Sequence, residues 1–176
     1  MSSGKPVFEK SYLIAEVSET LADDIIDWCY ENISEDSLYF DPEDHSFGRE
    51  SYIHMTVLSC IDDSDKNIID SVSCAEKINV LLGNIKLFTM NAKFDVVMIE
   101  VLDGEPHFLN KNLSKNILNK PDFPKYVPHV TIAYVKKGHG EKFTENKYFN
   151  GRSFDVNELI YSHKSGRKLK LLLGKS

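Results

Sequence analysis

Two histidines and two threonines in this sequence have the types and spacing to move protons around a phosphate. Ile53-His54-Met55-Thr56-Val57-Leu58 and Val127-Pro128-His129-Val130-Thr131-Ile132-Ala133 each hold a His and a Thr two positions apart within an apolar run. Side chains alternate between the faces of a β-strand, so His54 and Thr56 project together while Met55 points into a core, and His129 and Thr131 do the same around Val130. Two such strands facing one cleft would supply two imidazoles, able to act as base and acid near neutrality, and two hydroxyls to steady charge on phosphate oxygens.

The tripeptide His-any-Ser/Thr is a weak signal alone. The His, Ser and Thr content predicts roughly 0.7 chance matches, and roughly 0.2 when Thr is required. The chain has a third match, His163-Lys164-Ser165, but it runs into Gly166-Arg167 and reads as a hairpin turn. The two His-Thr copies stand apart because both lie in β-branched, strand-like stretches.

The elements that would position them occur in a repeated order. Residues 11–17 read as a strand. Leu21, Ile25, Trp28, Cys29 and Ile33 follow at helical spacing, with Thr20 and Asp23 as a capping start, and a polar loop over 34–50 leads to the first His-Thr strand. Residues 94–102 form a strand, about 106–118 a helix opened by Pro106, and the second His-Thr strand follows. Strand, helix, His-Thr strand thus occurs over 11–58 and again over 94–135, which implies a pseudo-two-fold axis between His54 and His129. Between the repeats, Ile68, Val72, Ala75, Ile78 and Leu82 suggest a second amphipathic helix stopped by Gly83, then a strand over 85–91. Short strands near 152–157, 158–163 and 168–173 complete the chain.

Composition bounds the rest. The 176 residues are 41% hydrophobic and 27% charged, as expected of one globular unit, here taken as a single bilobal domain over 1–176. No stretch has the length and apolarity of a membrane span or a signal peptide, so the chain is expected to stay in a cytoplasm. Cys29, Cys60 and Cys74 suit neither a disulfide framework nor a zinc site and are expected to pack in the core. The net charge of −6 hides a division: residues 1–110 hold 7 Lys/Arg against 22 Asp/Glu, and residues 111–176 hold 14 against 5. An acidic first part repels long nucleic acid, while a basic second part could attract a small phosphorylated ligand or simply bind the acidic part.

His54-Met55-Thr56 and His129-Val130-Thr131, with their apolar flanks and the element order over nearly the whole chain, resemble the 2H phosphoesterase superfamily. Gly48-Arg49-Glu50 ahead of His54-Leu58, with Pro128-His129-Val130-Thr131, is more particularly similar to the phage branch whose anti-CBASS enzymes destroy the cyclic di- and trinucleotide messengers of bacterial immunity. The resemblance implies an α+β fold with two pseudo-symmetric lobes, antiparallel sheets lining a central groove and helices outside. It implies a metal-independent phosphodiesterase with no cofactor, acting on a small cyclic oligonucleotide in the cytoplasm of an infected bacterial host; the sequence leaves the oligomeric state open, with a monomer as the expectation. His54, Thr56, His129 and Thr131 would be the catalytic set. Two other readings stay open: a 2H enzyme acting on RNA ends or 2′,3′-cyclic phosphates, and a protein that sequesters nucleotides without turnover.

Such chemistry needs a base to take the ribose 2′-proton, an acid to protonate the departing oxygen, and oriented donors for the charge between. Which histidine is which is open at this stage, and a near-symmetric site could exchange the roles between ring opening and hydrolysis of a 2′,3′-cyclic phosphate. Tyr12 alternates with Ile14 and Glu16 on the first strand and could stack on a base or be an ordinary half-buried tyrosine. Glu158 could accept a hydrogen bond from a base or ribose, or form a surface salt bridge. Asp41, Glu43 and His45 alternate as calcium ligands might, but Ser46 and Tyr52 stand where a calcium loop needs Gly and an acid, so no metal is expected. Tyr39 and Phe40 could cap a base or tuck onto the core. Lys111, Lys115 and Lys120 read as a solvated face.

Overall fold

The structure, a computed structural model, describes residues 10–102 and 104–174. Its strands are β1 Ser11–Glu16, β2 His54–Ile61, β3 Ile78–Phe88, β4 Phe94–Val101, β5 His129–Lys136, β6 Ser153–Val156, β7 Glu158–Ser162 and β8 Lys168–Leu172. Helices α1 Glu19–Asn32, α2 Asp65–Cys74 and α3 Glu105–Asn116 join them. All eight strands form one antiparallel sheet in the order β6-β3-β4-β5-β2-β1-β7-β8. This is an α+β architecture of two four-stranded halves, and the expected two-fold relation places β2 against β5 at its centre.

The halves touch lightly. β2 and β5 share a single register pair, Met55 with Val130, and both side chains are wholly buried. Beyond it the strands part, and each exposed edge is finished by the connection that precedes the opposite His strand. From Ile132 onward β5 bonds to the segment before β2: Glu50 N–H donates to Ile132 O (2.9 Å), Tyr134 N–H to Gly48 O (2.8 Å) and Tyr39 N–H to Tyr134 O (3.0 Å). Beyond Cys60, β2 bonds to the segment before β5: Lys120 N–H donates to Cys60 O (3.1 Å) and Asp62 N–H to Leu118 O (3.0 Å). Backbone groups that two separating strands would leave unpaired are thereby satisfied. The helices bridge the two halves, α1 packing against β5 and α3 against both β3 of its own half and β2 of the other.

Three expectations are corrected. The second helix ends at Cys74, and 78–88 is an eleven-residue strand whose Ile78, Val80 and Leu82 alternate into the core. Ile78 and Leu82 satisfy helical and strand spacing alike, and the buried Val80 between them decides for period two. Gly83 is consequently no helix stop; it lies in β3 where the side chain of Glu100 crosses the strand, and an added Cβ would come 2.5 Å from Glu100 Cγ. Helix α1 is entered at Ser18 rather than Thr20. Cys29 and Cys60 are buried as expected, but Cys74 is exposed at the end of α2. The acidic and basic stretches of the sequence are interleaved in the sheet, since β8, with Lys168 and Lys170, returns to pair with β7 beside β1.

Among the described residues no helix is long and apolar enough to cross a membrane.

Candidate active site

The Met55–Val130 pair fixes the geometry of both motifs. With these two residues opposite each other and pointing inward, the antiparallel register sets His54 across from Thr131, and Thr56 across from His129, on the other face. In this register each histidine position faces the threonine position of the other motif. Two rows run outward from this square. Glu16 pairs with His54 on one side, and Met98 with Thr131, then Lys86 with Met98, on the other. In the second row Ile14 pairs with Thr56, and Glu100 with His129. A glutamate thus flanks each histidine on its outer side. Glu100 is tied by Asn84 N–H at 3.0 Å and lies 4.0 Å from Lys86 Nζ.

Both rings are aimed by one device. His54 Nδ1 lies 2.9 Å from Tyr52 O, and His129 Nδ1 lies 2.8 Å from Val127 O. A carbonyl can only accept, so Nδ1 carries the proton in both, and Nε2 is the atom that takes or gives a proton in the groove. The surroundings then differ. His54 stacks on the Tyr52 ring at 5.0 Å with 30° between planes, whereas His129 meets Phe88 nearly perpendicularly at 4.8 Å. Burial pushes the His129 imidazole below its usual range; the bond to Val127 O opposes this, and the charge of His54 adds to it. The Tyr52 phenol is pushed up to about 12 by burial and by the nearby Glu16 carboxylate.

A cavity of about 750 Å³ opens beside Tyr52 and Ile53, lined among others by Glu16, Asp155, Glu158 and Ile160, and none of His54, Thr56, His129 and Thr131 lines it. Glu158 lies at that cavity, half-buried, with Lys170 Nζ 3.4 Å away. Tyr12 does not line that cavity. It lies two rows along β1 toward Cys60, Lys10 and Asp122, half-buried, with its phenol pushed up by burial. Tyr39 packs against Phe47 and Phe94 at 5.0 and 5.1 Å, while Phe40 is 59% exposed. His163 bonds Ser165 within its own turn, away from the square. Arg49 serves the fold: its guanidinium donates to Ile33 O and Cys29 O at the end of α1 and to Glu35. Among the described residues no group of three or more His, Cys, Asp or Glu side chains gathers to hold a metal ion.

Tyr52, Glu16, Glu100 and Phe88 were not singled out by the sequence. Glu16 was visible on the Tyr12 face of β1, and Tyr52 stands two residues before His54, but their value depends on a register that one chain does not spell out.

No family model and no curated protein matches the sequence. The fold does match solved structures. A phosphoesterase superposes with a TM-score of 0.59 at 14% identity, covering 93% of this chain and 94% of that one. Escherichia coli LigT complexed with phosphate gives 0.58 at 14% identity over 93% of each chain. A protein of Thermus thermophilus gives 0.58 at 10% identity over 93% of this chain and 94% of that one. The chain has the fold of the LigT-like 2H phosphoesterases.

Proposed function

We propose that the protein is a metal-independent phosphodiesterase that opens 3′,5′ linkages in small cyclic oligonucleotides, with His54 and His129 as acid and base. The observation that carries this is the crossed square, in which each histidine position faces the other motif's threonine position. One histidine removes the 2′-proton, the 2′-oxygen attacks phosphorus, and the 5′-oxygen leaves with a proton from the other histidine. Thr56 and Thr131 stabilise the charge that builds on the non-bridging oxygens. Escherichia coli LigT complexed with phosphate and with 3′-AMP supports a nucleotide phosphate as ligand. The acidic lining of the cavity beside Tyr52 favours a short ligand over a long polyanion. The resemblance to the phage enzymes supports a role in destroying the signals of bacterial immunity, in the cytoplasm of the infected cell, with the monomer as the working form. Glu158 would accept a hydrogen bond from a base that enters the cavity; Tyr12, farther along β1, would meet a base only in a ligand that spans both.

The test incubates the protein with labelled cyclic dinucleotides, cyclic trinucleotides and 2′,3′-cyclic mononucleotides in excess chelator. Turnover of the cyclic oligonucleotides is expected, and a 2′-deoxy analogue should resist. Turnover confined to the 2′,3′-cyclic mononucleotides would assign the protein to the RNA-end reading. Tight binding without products would make it a sequestering protein, and loss of turnover in chelator would overturn the metal-free mechanism.

A further inference from the structure

The two-fold relation of the motifs is broken two residues before each histidine, where Tyr52 stands on one side and Val127 on the other. Tyr52 holds His54 twice, through its carbonyl on Nδ1 and through its ring against the imidazole face. The carboxylate of Glu16, the strand neighbour of His54, acts on the Tyr52 phenol as well. A cationic ring gains from an aromatic face and from a carboxylate at its side. His129 has a different seat. Val127 brings no ring, Phe88 meets the imidazole at 85°, and the flanking Glu100 is already engaged by Asn84 N–H and near Lys86.

We propose that Tyr52 and Glu16 form a clamp that keeps His54 protonated, so that in the reaction proposed above His54 is the proton donor and His129 the acceptor. Tyr52 and Glu16 are positioning residues, acting through His54. Among the described residues, the charged and titratable groups on His54's side are Glu16 on β1, His129 on β5, Tyr52 itself, Lys168 on β8, whose Nζ lies 5.1 Å from the Tyr52 ring centroid, and, across the adjoining cavity, Asp155 and the Glu158–Lys170 pair. Lys168 opposes the clamp, but it reaches only the Tyr52 ring, whereas Glu16 stands opposite His54 in the strand register. Around His129 they are Glu100 on β4, Lys86 behind it on β3, and His54 on β2. The low affinity of His129 for a proton, set first by its burial, fits the division.

NMR titration of the two imidazoles without substrate reads the clamp directly. His54 should titrate above His129. Glu16→Gln, at an exposed position, should lower the His54 midpoint by about half a pH unit, Tyr52→Leu should lower it further, and Lys168→Met should raise it. In pH–rate profiles the basic limb should follow His54 in these variants while the acidic limb stays. A substrate whose leaving 5′-oxygen is replaced by sulfur needs no acid, so it should restore most of the turnover of His54→Ala and none of His129→Ala. His129 titrating above His54, an unmoved His54 midpoint in both Glu16→Gln and Tyr52→Leu, or rescue of the His129 variant by sulfur would overturn the proposal. Because the titration needs no turnover, a protein inert toward every cyclic nucleotide yet showing the His54 shifts would refute the activity and leave the clamp standing.

Discussion

The strand of His54 and the strand of His129 share a design and differ in upholstery. Each begins with its histidine, each ties Nδ1 to the carbonyl two residues earlier, and each faces a threonine of the other across one buried pair. Around that common frame His54 has a stacked phenol and a glutamate opposite it in the register, and His129 has the edge-on ring of Phe88 and an imidazole that burial pushes down. A symmetric frame puts two equivalent rings on either side of a phosphate; it cannot say which gives a proton and which takes one. The departures from symmetry supply that distinction.

The largest effects should come from removing the frame's own chemistry. His54→Ala and His129→Ala are each expected to lower kcat on the cyclic substrate by about 10²–10⁴ with an oxygen leaving group. The double variant should be little worse than the more damaged single one, since acid and base act on one transition state. Single-turnover assays on a labelled cyclic dinucleotide check this, and multiplicative losses would show that the two strands do not serve one site. Thr56→Val and Thr131→Val should follow with losses of about 10²–10³, matching each other if the crossed register makes the hydroxyls equivalent. A much larger loss from one of them would mean that the developing charge sits on one side of the square.

These comparisons rest on a seam that is thin in backbone and dense in packing. Met55 and Val130 are both inaccessible to solvent and form the one register pair between β2 and β5. Met55→Ala should cost about 2–5 kcal/mol in urea unfolding, and a cycle with Val130→Ala should show coupling because both truncations open the same space. Additive losses would mean that the halves are held instead by the bridging helices, with Trp28 of α1 packing edge-on against Phe143 and Phe149 across the divide.

Much of this frame could be read from sequence. Period-two alternation around Met55 and Val130, the helical stripe through Leu21, Ile25 and Trp28, and Pro106 at the opening of α3 are local signals, and the structure follows them. The reading failed at 78–88, where Ile78 and Leu82 fit two periods. The charge division runs along the sequence and not between the lobes, because β7 and β8 return to the side of β1 only after the second lobe has been threaded. Of the site, the four motif residues announced themselves by type and spacing. Tyr52, Glu16 and Phe88 did not, since a tyrosine, a glutamate and a phenylalanine acquire meaning only when pairing brings them to an imidazole.

The smallest effect sharpens the comparison at the far ends of the halves, at Ser11 on β1 and Asp95 on β4. Both are 2% exposed, and both tether a turn of their own half. Ser11 accepts from Lys164 N–H at 3.0 Å, while Asp95 accepts from Lys137 Nζ at 2.8 Å and Gly138 N–H at 2.9 Å. Burial alone would raise the Asp95 carboxyl, but the bonds from Lys137 and Gly138 outweigh it and hold the group below its usual value. A carboxyl with a folded-state pKa below its unfolded one contributes stability that is full above the unfolded value, about 3.9, and is lost as pH falls through the folded one. Asp95→Asn should therefore cost about 1–3 kcal/mol at neutral pH and progressively less below pH 4. Ser11→Ala should cost about 1 kcal/mol at every pH, because a neutral hydrogen bond has no proton linkage. Urea unfolding of both variants between pH 2 and 7 separates the two, and an Asp95→Asn deficit that persists in acid would show that the carboxylate's charge does not hold that turn.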